Sequence, residues 1–291
     1  MDAAVCGAAH LTSFKGTDSV PAIDFIENYY GDTLYNVSVP ATEHSVMCMG
    51  TEENEFNTFK RLITELYPTG IISIVSDTWD FWRVITDYLP RLRTEITQRR
   101  GKVVIRPDSG DPVKIIVGDP NAPVGTPQYK GVVECLYDVF RGPLIGTGYK
   151  SLTNSIGVIY GDSITLERAH QILEGLERKG FASSNIVFGI GSFTYQYITR
   201  DSFGFAVKAT SGVVNGTRLD IFKNPKTDSG LKKSAKWLLK VKLEDGTLKL
   251  YDQQTIHQEK ESELKTVFLD GKIIKERDFS RIRKRVDREI L

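Results

Sequence analysis

The chain has 291 residues, 40% hydrophobic and 26% charged, an ordinary soluble composition with room for one large domain or two smaller ones. Thirty-eight Lys and Arg against 37 Asp and Glu leave a formal charge of +1. No global field therefore draws the protein to nucleic acid or to a membrane, and any anion binding must come from local groups.

The N-terminal stretch MDAAVCGAAHL has no basic n-region and does not read as a signal peptide. It also enters an apolar, small-residue run at once, unlike a natural domain start. Strands are expected at about Ala8–Phe14, Tyr35–Val39, Gly70–Val75, Val103–Ile105, Ile156–Tyr160 and Ile186–Gly189. Helices are expected between them. Thr51–Tyr67 puts Phe56, Phe59, Leu62, Ile63 and Leu66 on one stripe and stops at Pro68. Trp79–Ile96 is apolar at Phe81, Ile85, Tyr88, Leu89 and Leu92, with a kink expected at Pro90. GDPNAPVGTPQYKG reads as a loop and KGVVECLYDVF as a short helix. Ser163–Lys179 follows, with Asp162 and Ser163 as candidate caps and Gly180 as its stop.

After about Arg200 the pattern becomes strand-turn-strand in FAVKATSGVVNG, KWLLKVKLEDGTLKLYD and KTVFLDGKIIKE, the last two with Asp-Gly turns. A charged helix, Asp278–Ile290, ends the chain. Alternating strands and helices imply a parallel sheet with helical crossovers, so an α/β region over 1–203 and a β-rich region over 204–291 with a terminal helix are expected. Cys6, Cys48 and Cys135 are odd in number and far apart, which argues against a disulfide scaffold or zinc site and for a reduced, intracellular compartment. No run of about 20 apolar residues suggests a transmembrane helix.

The expected strands end alike, in SFKGTD, VPATEHS, IVSD, IRPDSG, IYGD and FGIGS. Asp18, His44, Asp77, Asp108, Asp162 and Gly191 mark these ends, separated mostly by about one β/α unit, roughly 30 residues. A barrel gathers its site from the C-terminal ends of several strands, whereas an open doubly wound sheet focuses on one switch point. The pattern therefore favours an irregular (β/α) barrel, whole or partial.

YGDS and GIGS are candidate phosphate cradles in which Gly161, Gly189 and Gly191 allow close backbone approach; turn glycines are the plain alternative. Asp77 and Asp108 could hold Mg²⁺ or sugar hydroxyls, or could simply cap a helix and shape a turn. Arg106 beside an apolar strand needs an anionic or aromatic partner. His44 could serve as base, nucleophile or ligand, or be a satisfied structural residue. Lys223, Lys226, Lys232, Lys233, Lys236, Lys240 and Lys242 form a basic run, either a solvated face or cover for an anionic substrate. These residues point to a phosphorylated, sugar-containing small ligand without separating an aldolase, an isomerase and a transferase.

AAHLTSFKGTDSV, SVPATEHSV, SIVSDTWD, VVIRPDSGDP, GVIYGDSI, IVFGIGS, YQYITRD and VVNG…IFKNP, in that order, resemble the nicotinamide phosphoribosyltransferase family of type II phosphoribosyltransferases. The resemblance runs from Ala8 to TVFLDGK near the C-terminus. It implies an irregular α/β barrel of that type plus a β-rich domain, a homodimer with shared active sites, and transfer of phosphoribosyl from phosphoribosyl pyrophosphate to nicotinamide. By position, it implies that Asp18 holds the nicotinamide amide and Arg106 the pyridine ring and pyrophosphate region. Asp77 and Asp108 would hold ribose hydroxyls or Mg²⁺-pyrophosphate. Asp162 would hold ribose, Gly161, Gly191 and Ser192 the 5′-phosphate, and Arg200 a phosphate, with Lys208 and Lys223 near the phosphates. His44 would be the histidine phosphorylated from ATP, and His44, Asp108 and Arg106 the catalytic set.

Two departures stand out. The family has a longer glycine run where this chain has GIGSFTYQ, so Ser192 and Phe193 leave less room for backbone approach. The family also has a long segment before AAHL that supplies an aromatic stacked on nicotinamide and a further arginine, so the chain is expected to be a fragment or truncated product. The alternatives are a non-catalytic remnant that binds phosphoribosyl ligands, a nicotinate-using relative, which Asp18 argues against, and an aldolase-type barrel with Lys15 or Lys208 as Schiff-base lysine.

Overall fold

A computed structural model describes residues 2–31, 38–191, 202, 207–227, 234–276 and 278–289. Its centre is a four-stranded parallel sheet in the order β1-β2-β3-β4, formed by Thr69–Val75, Arg100–Arg106, Ile156–Tyr160 and Ile186–Phe188. The β-branched runs that predicted these strands are their buried parts: Ile72, Ile74, Val103, Ile105, Ile156 and Val158 are all within 1% of full burial. Crossover segments return the chain each time, so every strand points the same way and all four C-terminal ends lie along one edge. Next to β1, Ala41 forms a single parallel bridge to Ser73. Of the expected strand at Tyr35–Val39, residues 35–37 lie outside the described set and Ser38 and Val39 are not strand.

The first expected strand is corrected. Asp2–Leu11 is a helix, α1, packed on a second helix, α2 (Val20–Tyr30), through Ala8, Leu11 and Ile26. An Ala-rich run has the highest helix propensity and lacks the β-branched residues that hold a strand. Gly7 permits this packing, because a Cβ there would stand 2.6 Å from the Ala22 Cβ.

The remaining helices cover the sheet. They are α3 (His44–Met49), α4 (Glu55–Arg61), α5 (Phe81–Arg83), α6 (Leu89–Arg91), α7 (Arg93–Gln98), α8 (Pro112–Val117), α9 (Pro127–Lys130), α10 (Val132–Phe140) and α11 (Leu166–Arg178). Of the predicted stripe, Phe59, Leu62 and Ile63 are buried with Leu89, Leu92, Leu136, Ile172 and Leu176 in one core, Phe56 packs against it partly buried, and Leu66 is exposed. The single helix expected over Trp79–Ile96 is broken. A π-helical turn, Val84–Tyr88, precedes Pro90, and Pro90 has no N–H to continue the regular ladder. Thr165 caps α11 by accepting from the Arg168 N–H, in place of the expected Asp162 or Ser163.

Among the described residues the later part has three antiparallel hairpins: β5–β6 (Ser211–Val214, Thr217–Asp220), β7–β8 (Leu238–Glu244, Thr247–Gln254) and β9–β10 (Phe268–Leu269, Lys272–Ile273). A short α12 (Ile256–Lys260) and a terminal α13 (Phe279–Glu289) complete it. Among the described residues no helix is long and apolar enough to cross a membrane.

Candidate active site

The loops that leave β1 and β2 carry the first two acids. After β1, Ser76, Asp77 and Thr78 are fully buried, and the Ser76 N–H donates to the Arg106 carbonyl at 3.0 Å. Asp77 is not a helix cap, because Asp80 accepts from the Arg83 N–H and caps α5. Neither Asp77 carboxylate oxygen has a hydrogen-bond partner among the described residues. After β2, Asp111 accepts from the Val113 and Lys114 N–H groups and caps α8, which leaves Asp108 for other work. A fully buried carboxylate without a donor is costly unless something else compensates it.

His44 provides the meeting point. It opens α3, and its Nε2 lies 3.5 Å from Asp108 Oδ2 and 3.9 Å from Asp77 Oδ1. Its Nδ1 is 3.2 Å from the Thr78 hydroxyl. Two carboxylates facing one imidazole nitrogen form an acidic pocket suited to a cation, a proton or developing positive charge. Arg106 has the partners expected of it: it donates to the Thr42 carbonyl and pairs with Glu43 at 3.3 Å, while its buried Nε has no partner among the described residues. Tyr160, at the end of β3, is fully buried and its hydroxyl donates to the Gly110 carbonyl at 3.0 Å. Burial pushes its phenol far above the ordinary range, and Asp162, Asp77, Asp108 and Asp111 push further in the same direction. Tyr160 thus remains a neutral donor holding the β2 loop.

Beside this cluster lies a cleft of about 680 Å³ lined by, among others, Asp18, Ser73, Arg106, Asp108, Gly161 and Gly191. Asp18 accepts from the Ser38 hydroxyl at 2.5 Å. The Ser73 hydroxyl is buried with no hydrogen-bond partner among the described residues. Gly161 and Gly189 serve each other first. A Cβ on Gly189 would lie 2.8 Å from the Gly161 Cα, and the Gly189 N–H is already spent on the Tyr160 carbonyl at 2.8 Å. Among the described residues nothing lies within 4 Å of a Cβ built on Gly191.

The expected site residues therefore divide. Asp18, Arg106, Asp108, Gly161 and Gly191 line the cleft, and His44 and Asp77 adjoin it through Asp108. Asp162 follows Gly161, accepts from the Ser163 hydroxyl at 3.3 Å and is not part of the lining. Lys208 is exposed away from the lining, and Lys223 is half-buried near the Cys48 thiol. Ser192 and Arg200 lie outside the described residues. In the basic run, Lys226, Lys236, Lys240 and Lys242 pair with Asp80, Asp220, Glu261 and Glu244, so each is ion-paired within the protein; Lys232 and Lys233 lie outside the described residues. Sequence reasoning passed over Thr78, Tyr160 and Ser73. Their signal was a polar or hydroxyl group inside or directly after an otherwise apolar strand.

Among the described residues no group of three or more His, Cys, Asp or Glu is arranged to hold a metal ion. The two carboxylates still fit Mg²⁺, which takes few protein oxygens and completes its shell with substrate and water. The bare oxygens of Asp77 are the observation that supports this fit.

The nicotinate phosphoribosyltransferase (NAPRTase) family model matches residues 2–272. A nicotinamide phosphoribosyltransferase from Acinetobacter baylyi is 57% identical across 99% of the chain and 59% of its own length. Similar proteins of the same name occur in Xanthomonas campestris pv. campestris, 33% identical over 98% of the chain and 59% of the relative, and in Mycoplasma pneumoniae, 40% identical over 76% and 46%. The chain thus spans about three-fifths or less of the length of these curated relatives. With the matched family model extending from the first helix into the last hairpin, the chain belongs to the nicotinate phosphoribosyltransferase (NAPRTase) family.

Proposed function

We propose that the chain carries the catalytic centre of a nicotinamide phosphoribosyltransferase. The bond from ribose C1 to the pyrophosphate oxygen breaks, a bond from C1 to the pyridine nitrogen forms, and nicotinamide mononucleotide and pyrophosphate leave. The observation that carries this reading is the convergence of His44, Asp77 and Asp108 beside a cleft that also contains Asp18 and Arg106.

Displacement at an anomeric carbon develops positive charge on the sugar, and fixed carboxylates stabilise it. In this reading Asp108 holds the ribose and Asp77 the buried side of the same pocket, and Asp162 on the β3 loop is assigned to ribose by family position. Arg106, aimed by Thr42 and Glu43, offers charge to the pyrophosphate and a planar face to the pyridine. Gly161 and Gly191 leave room for the 5′-phosphate, with Ser192, Arg200, Lys208 and Lys223 assigned to phosphate by family position alone. Asp18 accepts a hydrogen bond from the nicotinamide amide and repels the carboxylate of nicotinate. A magnesium ion, when bound, supplies charge that neutralises the leaving pyrophosphate. His44, held between Thr78 and two acids, is the group we assign to phosphorylation from ATP.

In the same reading, the four-stranded sheet is an arc of an irregular (β/α) barrel over residues 1–203, the hairpins of 204–291 form its β-rich companion, and the enzyme is a cytoplasmic homodimer. Incubation of the chain with phosphoribosyl pyrophosphate, Mg²⁺ and either nicotinamide or nicotinate, with chromatography of the products, tests the proposal. Nicotinamide mononucleotide forms in preference to the acid product. Binding of phosphoribosyl pyrophosphate without turnover would instead favour the non-catalytic remnant.

A further inference from the structure

The segment Phe222–Thr227 touches all three elements that carry the His44, Asp77 and Asp108 groups. Beneath His44, the Cys48 thiol donates to the Phe222 carbonyl at 2.9 Å. Cys48 lies four residues on from His44 and so shares its side of α3. Burial holds this thiol up at about 11, so it remains a protonated donor. At the end of β1, the Asn224 N–H donates to the Thr78 carbonyl at 3.3 Å and the Lys226 N–H to the Trp79 carbonyl at 3.0 Å. The Lys226 ammonium also meets Asp80 at 2.7 Å. At the end of β2, the Thr227 and Ser109 hydroxyls are hydrogen-bonded to each other. Ser109 is fully buried and follows Asp108 directly. The Thr227 carbonyl also packs against Gly110, where a Cβ would stand 3.0 Å away. A segment of six residues thus bridges α3, the Asp77 loop and the Asp108 loop, with Thr227 as its polar tie to the last.

We propose that Phe222–Thr227 is a clamp that sets the spacing of His44, Asp77 and Asp108, and that Thr227 is its positioning residue. The inference rests on the function proposed above only for the identity of the ligand. Misplacement of reacting groups by about 1 Å costs on the order of a hundredfold in rate, so a small shift of one loop is visible. The clamp's hydrogen bonds run to α3 and to the Asp77 and Asp108 loops, so the effect is expected on the pyrophosphate and ribose side.

The test compares Thr227→Val, which keeps shape and removes the hydroxyl, with Thr227→Ser, which keeps the hydroxyl, and with Ser109→Ala, which removes the same bond from the other side. Calorimetric titration with magnesium pyrophosphate is the first readout and steady-state kinetics the second. Thr227→Val and Ser109→Ala weaken pyrophosphate binding about tenfold, Thr227→Ser stays within twofold of wild type, and the double variant is no worse than either single one. In turnover, kcat falls for Thr227→Val while the KM for nicotinamide holds within twofold. Wild-type affinity in both Thr227→Val and Ser109→Ala overturns the clamp, as does an equal loss in Thr227→Ser. If Thr227→Val does not fold, Ser109→Ala decides. A wild-type chain that binds magnesium pyrophosphate yet makes no mononucleotide overturns the proposed function alone, and the clamp is then judged on binding. A wild-type chain that binds no pyrophosphate overturns both.

Discussion

Glu55, near the start of α4, is 1% exposed, and one of its carboxylate oxygens has no partner. Burial pushes its carboxyl up to about 8, against an ordinary value of 4.5, although a Tyr88 hydrogen bond pulls the other way. In the unfolded chain the group ionises above 4.5, while in the fold it keeps its proton to about 8. The stability it contributes is therefore complete below pH 4.5 and is lost as pH rises towards 8, where the folded group also ionises. The slope within that window is about 1.4 kcal/mol per pH unit, and the full loss is at most roughly 5 kcal/mol. Glu55→Gln keeps the shape and removes the titration. Urea unfolding of both proteins at pH 5, 6.5 and 8 reads the difference. The variant gains on wild type as pH rises, by about 2 kcal/mol or more between pH 5 and 8. Two stability curves that stay parallel across this range would show that Glu55 ionises normally in the fold, and the reasoning from its burial would be wrong.

The site makes further demands. Asp18→Asn removes the charge that repels an acid and shifts the ratio of kcat/KM for nicotinate over nicotinamide upward by about tenfold or more; an unchanged ratio would remove Asp18 from substrate choice. Asp108→Asn lowers kcat on the order of a hundredfold with little change in melting temperature, whereas Asp111→Ala, which strips the α8 cap, costs about 1 kcal/mol in stability and changes kcat less than threefold. The reverse pattern in these two variants would exchange their roles. Gly189→Ala forces a methyl against the Gly161 backbone and costs about 1 to 3 kcal/mol by denaturant unfolding; unaltered stability would mean the two loops separate freely.

The parallel strands were legible because Ile71–Val75, Val103–Ile105 and Ile156–Tyr160 are runs that suit burial on both faces. The Ala8–Phe14 segment misled because its polar ending matched the other strand ends, while its Ala-rich body favours a helix. The convergence of Arg106, Asp108 and Gly161 on one cleft could be expected from their place at strand ends, whereas Asp18 reaches it from the connection between α1 and α2. Which acids cap helices could not, since Asp77 and Asp80, like Asp108 and Asp111, stand three residues apart and only the turn geometry decides between them. The clamp was invisible for a different reason. Thr227 and Ser109 are 118 positions apart, and no periodicity reports a contact of that range.

A crystal structure of the chain with magnesium pyrophosphate tests most directly whether the strand ends share one anion site. The pyrophosphate is expected in the cleft between Arg106, Asp108 and Gly191, with its metal against the oxygens of Asp77 or Asp108. Pyrophosphate seated elsewhere, with this cleft empty at saturating ligand, would contradict both the site and the reaction assigned to it.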